Sequence, residues 1–247
     1  MKIHVISLVT SKERREKIYC ELTRLGLDFT YFDAISGEIS DINEYDNTRR
    51  MWEKGHALTR GEQGCFASHK ALWNECVSAH EPFLIMEDDV VLSDSFPELI
   101  SNLKVLVNKL GYIRLGRGTC NALLGIGSWL HIDDIDDGKS IVKYMKGTSG
   151  SYAYILSPSA ALKFISSSKS WSWPVDDFMS KEYLHRVDNY GIEPFLAWPI
   201  ESDSDIGDRI KPATRSLISR IRKEYYREKD KLANNIYNYI FCIKNKK

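Results

Sequence analysis

The sequence lacks any long hydrophobic run and uses cysteine sparingly, and both shortages narrow the class of protein. No stretch of its 247 residues approaches the roughly 20 apolar residues that a membrane-spanning helix needs. The cysteines are widely spaced and form no CxxC pair, which argues against both a zinc site and a disulfide framework. We interpret all five as small hydrophobic residues in a reducing compartment: Cys20, Cys65, Cys76, Cys120 and Cys242. The apolar start, MKIHVISLV, has no signal-peptide cleavage site, so we expect an intracellular protein.

The chain also lacks net charge and a phosphate-binding loop. It carries 34 Lys and Arg against 34 Asp and Glu, but residues 209–247 hold 12 basic and only three acidic side chains. The remaining body is acidic by the same margin, and no segment of the form GxxxxGK(S/T) is present, which argues against a kinase. The acidic body and the lack of a nucleic-acid-binding module argue against a nucleic-acid partner.

Hydrophobic periodicity predicts an α/β fold with a mostly parallel central sheet flanked by helices. Residues 3–9 (IHVISLV) favour a buried strand, and a helix with Ile18 and Leu22 on one face follows. Thr10 and Glu13 have the spacing of a capping box at the start of that helix. The stretch LDFTYFDAI predicts a second strand, and such a strand–helix–strand opening is typical of parallel sheets.

Further elements are predicted along the chain. Thr59 and Glu62 form a second capping box, at the start of a helix that runs to about Ala79. Other predicted strands are FLIM, YIRL, SYAYIL and IEPFLAWPI, and other predicted helices begin near Phe96, at Ser157-Pro158 and in PVDDFMSKEYL. Residues 36–54 and 116–150 are predicted to be loops, the second with short strands. We expect a globular domain over 1–212 and a basic, amphipathic helical tail over 213–247.

Three consecutive acids follow the predicted strand FLIM in the segment FLIMEDDVVL. Adjacent carboxylates repel one another, and a buried carboxylate needs a partner. Because ligands of open α/β sheets bind beyond the carboxyl ends of strands, we expect a site at Glu87, Asp88 and Asp89. Two of these carboxylates offer the oxygen atoms that a hard divalent cation prefers, and such a cation grips phosphates. The alternative is a solvated acidic turn.

Several segments, in order, resemble glycosyltransferase family 25, which includes enzymes of bacterial lipooligosaccharide synthesis and collagen galactosyltransferases. The segments are ISLVTSKERREKI, YFDAISG, LTRGEQGCFASHKALW, FLIMEDDVVL, GTSGSYAYILSPSAALKFI, WPVDDF and SDIG, which together cover about Ile3 to Asp208. The resemblance implies a GT-A-like fold over 1–212 for nucleotide-diphosphosugar transfer, with Mn²⁺ or Mg²⁺ as cofactor. It also implies an inverting hexosyltransferase that uses a UDP-sugar donor, with galactose preferred to glucose.

The resemblance also assigns roles to residues. FLIMEDDVVL is similar to the DxD motif of sugar-nucleotide transferases, which implies Asp89 as the first metal ligand. We assign Glu87 as the second ligand, with Asp88 as the alternative. Inversion needs a base for the acceptor hydroxyl, and Asp176 in WPVDDF fits the family's Pro-x-Asp position, with Asp177 second. Acids in the first turn of a helix also stabilise the helix dipole, which is the alternative for both residues. The residues expected to contact the donor are Ser7, Arg14, Arg15, Asp33, Glu62, Ser68, His69, Glu87 and Asp88, and SDIG at Ser204, Asp205 and Ile206 is expected to complete the pocket.

The basic C-terminal segment mixes apolar and cationic residues and predicts a surface partner. A basic amphipathic helix suits an anionic membrane surface, although a solvated terminal helix is the alternative. We therefore expect a cytoplasmic protein, peripherally associated with the inner face of the cytoplasmic membrane, that meets a lipid-linked oligosaccharide acceptor. Two other functions stay open: a catalytically silent family member that binds nucleotide sugars or acts as a scaffold, and a metal-dependent nucleotidyl- or phosphotransferase.

Overall fold

A computed structural model of the chain describes residues 1–40, 42–116, 129–136, 138–200 and 217–245, in which two β-sheets are flanked by helices. The strands are β1 (Lys2–Ser7), β2 (Thr30–Asp33), β3 (Phe83–Glu87), β4 (Val90–Leu92), β5 (Tyr112–Arg114), β6 (Trp129–Asp136), β7 (Lys139–Tyr144), β8 (Ala153–Leu156), β9 (Tyr190–Glu193) and β10 (Ala197–Pro199). The helices are α1 (Lys12–Arg24), α2 (Asn47–Lys54), α3 (Arg60–Ala79), α4 (Phe96–Leu110), α5 (Pro158–Ser167), α6 (Val175–Met179), α7 (Glu182–His185) and α8 (Leu217–Lys244). Cys120 and the segment Ser204-Asp205-Ile206 lie outside the described residues.

Within the described ranges, the larger sheet holds eight strands in the order β2-β1-β3-β8-β5-β9-β7-β6, and β10 pairs with β4 in a second, two-stranded sheet. Strands β2, β1 and β3 run parallel, and so do β5 and β9. The other neighbouring pairs of the larger sheet are antiparallel. The sheet is therefore mixed, and the expected parallel arrangement holds for its first three strands and for one later pair.

The three parallel strands bring separate segments to one edge of the sheet. Ser7 is in register with Asp33, and Ile6 is in register with Glu87. Because β1, β2 and β3 share one direction, their carboxyl ends meet at the edge where ligands bind in open α/β sheets. Strand β3 ends at Glu87, and Asp88 and Asp89 form the turn into β4. Glu87 is thus the last residue of the strand, and only Asp88 and Asp89 lie in the turn at this edge.

Hydrophobic side chains cover both faces of the larger sheet, because successive strand residues point to opposite sides. On one face, Val5 and Leu84 belong to a buried cluster with side chains of α1 and α4. On the other face, Ile6 and Phe83 belong to a second cluster with side chains of α3, α5 and α6. Helix α3, which carries His69, is therefore fixed against the face of the sheet next to the acid cluster.

Of the three helix starts for which the sequence predicts a capping side chain, two have it in the structure. Thr59 and Glu62 form the predicted capping box at the start of α3, with both reciprocal hydrogen bonds present. The predicted helix start at Ser157-Pro158 is also confirmed, because the Ser157 side chain accepts from the backbone N–H of Ala160. The capping box predicted at Thr10 is wrong, since the N-cap of α1 is Ser11 and its side chain makes no capping hydrogen bond.

Three stretches differ from their predicted structure. Residues 36–54 were expected to be a loop, but α2 forms there, with the Asp46 side chain accepting from the backbone N–H of Arg49. Residues 129–144 form a long β6–β7 hairpin that extends the larger sheet. The segment IEPFLAWPI divides between β9 and β10, which belong to different sheets. Pro194 has no backbone N–H to continue the pairing of β9, which accounts for the division.

Helix α8 packs against the body along one face and is apolar on the other. On the body side, Lys181 and Tyr183 donate to the carboxylate of Asp230 at 2.7 and 2.8 Å, and Lys143 donates to Asn238 at 2.7 Å. The exposed apolar residues, which we call the outer stripe of α8, are Leu217, Ile218, Ile221, Tyr225, Leu232, Ile236, Tyr239, Ile240 and Ile243. Of the helices in the described residues, none has the length and hydrophobicity to cross a bilayer.

Candidate active site

A cleft of about 570 Å³ opens at the carboxyl ends of β1 and β3. Residues 6–8, 34–38 and 57–61 line it, together with Arg14, Cys65, Ser68 and the acid cluster. Two glycines allow the loop after β2 to close on the start of α3. A Cβ atom at Gly37 would lie 1.8 Å from the carbonyl oxygen of Arg60, and one at Gly64 would lie 2.3 Å from that of Ile35. Any side chain at either position would therefore displace the wall of the cleft.

Asp88 is anchored by the protein through both carboxylate oxygens. Oδ2 accepts from the Ser7 hydroxyl at 2.5 Å, and Oδ1 lies 2.5 Å from the Arg14 guanidinium. The residue is only 5% exposed, so these charge-assisted contacts form in a largely dry environment. Asp88 therefore ties the turn after β3 to the end of β1 and the first turns of α1.

Asp89 has an oxygen atom that the protein leaves available. Its Oδ2 lies 2.9 Å from Arg14, but its buried Oδ1 has no hydrogen-bond partner among the described residues. Burial and the neighbouring charge of Glu87 raise the pKa of Asp89 to about 6, although Arg14 opposes the shift. A buried carboxylate oxygen without a donor costs free energy, and a bound cation would remove that cost.

Glu87 is held in its ionised form by polar neighbours. The Ser151 hydroxyl donates to Oε1 at 2.7 Å, and His69 Nε2 lies 3.6 Å from the same oxygen. Burial alone would raise the pKa of Glu87, but His69, Ser151 and the charge of Arg14 together hold it below its ordinary value. Glu87 and Asp89 therefore differ in proton affinity although they lie two residues apart.

His69, predicted as a donor contact, is fully buried in α3 and does not line the cleft among the described residues, so that contact stays a prediction. Its Nδ1 lies 2.7 Å from the Tyr154 hydroxyl, which also accepts from Trp73 Nε1 at 2.9 Å. One turn earlier, Cys65 lines the cleft. Burial raises the pKa of the Cys65 thiol, and the nearby charges of Glu87 and Asp176 add to the increase. Cys65 thus lies within electrostatic range of both the acid cluster and the predicted base.

Asp176 and Asp177, at the start of α6, have different partners. Asp176 accepts backbone hydrogen bonds from Gly150 at 3.2 Å and from Asp177 at 2.8 Å. Asp177 instead lies 3.3 Å from Lys181, the lysine that also pairs with Asp230 of α8. Asp176 is therefore associated with the segment before β8, whereas Asp177 belongs to the ion-pair network under α8.

Other predicted donor contacts are engaged in the framework of the cleft. Arg15 lies 2.6 Å from Asp33 and donates to the Ser7 carbonyl at 2.8 Å. In the described part of the chain, neither Arg15 nor Asp33 lines the cleft, and the Glu62 carboxylate caps α3. Ser68 does line the cleft, where its hydroxyl joins the loop after β2 to α3. The donor contacts assigned to these residues stay predictions.

The sequence reading missed three contributors to the site. Ser151 lies two residues before β8, but only the antiparallel β3–β8 pairing reveals its proximity to Glu87. Tyr154 reaches His69 through the same pairing. Cys65 and His69 are four residues apart on a predicted helix, which places them on one face. That spacing alone does not show that Glu87 lies beside them.

A cluster of acids in a cleft at the carboxyl ends of parallel strands is the arrangement of a ligand-binding α/β protein. The sequence profile of glycosyltransferase family 25, described as LPS biosynthesis proteins, matches residues 1–123 and 130–179. The match spans well over half of the 247 residues, so the chain belongs to glycosyltransferase family 25.

Three relatives illustrate the range of the family. The chain is 29% identical to lipooligosaccharide biosynthesis protein lic2B of Haemophilus influenzae, over 64% of this chain and 59% of that protein. It is 26% identical to procollagen galactosyltransferase 1-B of Xenopus laevis, over 83% of this chain and 37% of that one. It is 29% identical to inactive glycosyltransferase 25 family member 3 of Mus musculus, over 76% of this chain and 33% of that protein. The match thus spans less than two thirds of the length of each of these relatives.

Proposed function

We propose that the chain is an inverting, metal-dependent glycosyltransferase with a GT-A-like fold, which moves a hexose from a UDP-sugar onto an oligosaccharide acceptor. The observation that carries the proposal is the acid cluster at Glu87, Asp88 and Asp89, which faces a cleft in a chain of glycosyltransferase family 25. The hexose is first of all galactose, since one relative is a procollagen galactosyltransferase, and glucose is second. The acceptor is a lipid-linked lipooligosaccharide or lipopolysaccharide core, since another relative is a lipooligosaccharide biosynthesis protein.

The oxygen atoms of the acid cluster fit a hard divalent cation such as Mn²⁺ or Mg²⁺. Asp88 is engaged by Ser7 and Arg14, whereas Asp89 has a buried oxygen without a hydrogen-bond partner in the described residues. Asp89 would therefore be the first ligand and Glu87 the second. When bound, the ion supplies Lewis-acid neutralisation of the charge that develops on the leaving nucleoside diphosphate.

The remaining steps fall to groups of the chain itself. Arg14 lines the cleft beside the acid cluster and can pair with a phosphate oxygen of the donor. Residues 59–61, at the positive end of the α3 dipole, line the same cleft and favour a bound anion. Asp176 takes the proton of the acceptor hydroxyl, because its carboxylate is oriented by backbone N–H groups and, in the described part of the chain, pairs with no lysine. Asp177 is the poorer base because Lys181 holds it.

The test of the proposed function is donor hydrolysis by purified protein. UDP release is measured from a panel of UDP-sugars, with Mn²⁺ and with a chelator. We expect slow release from UDP-galactose that the chelator abolishes and that Asp89→Ala removes without unfolding the protein. Release of pyrophosphate or phosphate in place of UDP would favour a nucleotidyl- or phosphotransferase.

A silent family member is the second candidate, because an inactive mouse protein is 29% identical over 76% of the chain. That function predicts metal-dependent UDP binding without turnover. Calorimetric binding of UDP, combined with no UDP release even when an oligosaccharide acceptor is supplied, would replace the enzyme by this binding protein.

The proposed membrane surface of the protein is the outer stripe of α8, for a protein at the cytoplasmic face of the membrane. The stripe shares its helix with seven basic and three acidic residues, and this balance favours anionic lipid. The double variant Ile221→Ser/Ile236→Ser should bind phosphatidylglycerol vesicles more weakly and keep its turnover on a soluble acceptor. Val105→Ser, at an exposed residue of α4, is the matched control. Equal vesicle binding by both variants would remove this role from α8.

A further inference from the structure

Three metal-ligating side chains of different chemistry meet beside the cleft. One ligand atom from each of Cys65, His69 and Glu87 lies within 4.8 Å of the other two. Cys65 and His69 occupy adjacent turns of α3, and Glu87 ends β3, so two rigid elements hold the group. Cys65 and Glu87 both line the cleft, which leaves an open side toward it.

The imidazole of His69 is an independent observation that points to a ligand. The side chain is fully buried, and Nε2 has no hydrogen-bond partner among the described residues. Its distance to Glu87 Oε1, 3.6 Å, is too long for a hydrogen bond. A buried polar atom in this state costs about 1–3 kcal/mol, so a natural occupant of the space is an atom that Nε2 can bind.

The surroundings orient these groups as a metal site requires. In the metal-free protein a proton on His69 Nε2 favours the ionised form of Glu87. When an ion binds, the proton resides on Nδ1, which donates to the Tyr154 hydroxyl at 2.7 Å, and Nε2 offers its lone pair to the ion. Ser151 holds Glu87 by donating to its Oε1 at 2.7 Å. Metal-bound histidines and carboxylates are commonly fixed by outer contacts of this kind.

We propose that Cys65, His69 and Glu87 form a site for a borderline divalent cation of the Zn²⁺ type, with its fourth position open to the cleft. Thiolate, imidazole and carboxylate are zinc ligands, whereas Mn²⁺ and Mg²⁺ prefer oxygen alone. Zn–S and Zn–N bonds of about 2.3 and 2.0 Å place ligand atoms about 3.5 Å apart. His69 Nε2 and Glu87 Oε1 are already 3.6 Å apart, so only separations nearer the 4.8 Å limit have to shorten when the ion binds. The Cys65 thiol releases its proton to solvent in the process.

The site has a regulatory consequence that rests on the proposed function. Glu87 would serve both the zinc site and the oxygen-ligand site at Asp89, so the two ions compete. Zinc therefore inhibits Mn²⁺-dependent UDP release, and inhibition requires Cys65. The binding of zinc itself does not depend on any transferase activity.

The test uses Co²⁺ as a spectroscopic probe, because Co²⁺ bound to a thiolate absorbs by charge transfer in the near ultraviolet. The metal-free protein is titrated with Co²⁺ and then with Zn²⁺, beside Cys65→Ser and the control Cys20→Ser, an exposed cysteine of α1. We expect one equivalent of Co²⁺ to give the band, Zn²⁺ to displace it, and Cys65→Ser to lose it. Loss of a direct ligand should weaken Zn²⁺ binding by at least about 100-fold, since even outer contacts contribute about 10–100-fold.

Several results would overturn the site. These are a wild-type protein that gives no charge-transfer band, a band that survives in Cys65→Ser, or a band that disappears in Cys20→Ser. Unchanged thermal unfolding of Cys65→Ser shows that the variant is folded, and His69→Gln serves as an independent removal of the second ligand. Equal zinc inhibition of wild type and Cys65→Ser would overturn the competition alone. Failure of the proposed function would appear differently, as a normal Co²⁺ titration with no UDP release.

Discussion

Asp88→Asn and Asp89→Asn, isosteric changes at adjacent acids of the cluster, should have opposite effects on the stability of the metal-free protein. Asp88→Asn removes the charge that Ser7 and Arg14 each contact at 2.5 Å. A hydrogen bond to a charged group contributes about 1.5–3 kcal/mol, but the amide keeps part of the Ser7 bond, so we expect a loss of roughly 2–4 kcal/mol in the free energy of unfolding. Arg14 keeps Asp89 as a partner, which holds the loss below the cost of an orphaned buried charge.

Asp89→Asn should instead leave the metal-free protein as stable or more stable. An acid whose pKa is higher in the folded chain destabilises the fold once ionised, so the penalty is complete above about pH 6. A rise in the pKa of Asp89 from 3.8 to about 6 corresponds to roughly 3 kcal/mol. The side chain is 25% exposed, and solvent screening reduces the expected gain to about 1–2 kcal/mol at pH 7.5.

The assay pairs urea unfolding at pH 7.5 without metal with calorimetric titration of Mn²⁺ and UDP. Asp88→Asn should unfold more readily than wild type. Asp89→Asn should unfold no more readily, yet lose Mn²⁺-dependent UDP binding. The reasoning fails when Asp89→Asn is the less stable variant, or when Asp89→Asn retains metal-dependent binding and Asp88→Asn does not.

Three further predictions test separate parts of the molecule. Burial lowers the pKa of His185 to about 3, so between pH 6.5 and pH 3 this histidine is protonated in the unfolded chain and neutral in the folded chain. Stability should therefore fall by about 3 kcal/mol between pH 6.5 and pH 4, and His185→Gln should lose that part of the slope in urea unfolding at each pH. Asp176→Asn should lower turnover at least about 100-fold and leave UDP affinity unchanged, whereas Asp177→Asn should retain most turnover; the reverse order in steady-state kinetics would move the base to Asp177. Gly64→Ala should lower the unfolding midpoint and weaken UDP binding, because its Cβ would lie 2.3 Å from the Ile35 carbonyl oxygen. Gly147→Ala, whose Cβ would meet only an ordinary contact at 3.7 Å, is the control, and equal effects of the two would refute the packing argument.

The parts of the fold that sequence predicts are those with a strong local cause. The capping box at Thr59 and the β-branched run of β1 both act within a few residues, and both elements form where they are expected. Helix α2 was missed because its residues are polar and its cap, Asp46, precedes no clear apolar stripe. The mixed sheet was missed for a different reason: the pairing of β8 between β3 and β5 depends on contacts between distant segments.

The site shows the same division between local and distant causes. The position of the acid cluster at the end of β3 follows from one short segment, and it is confirmed. The different states of its members are set by partners far along the chain, because Ser7 holds Asp88 and Ser151 holds Glu87. No pattern around residues 87–89 contains those partners.

Lys181 links the end of the chain to the neighbourhood of the predicted base. It is 3% exposed and pairs with Asp177 at 3.3 Å and with Asp230 of α8 at 2.7 Å. Shortening the chain before α8 would leave this ammonium group with half of its counter-charge and would open it to water. Helix α8 therefore supplies a counter-ion to a buried lysine of the core. When proteolysis removes α8 and leaves the rest of the chain intact, the activity of the product should be measured as well as its size. A loss of turnover on trimming would then need no membrane to explain it.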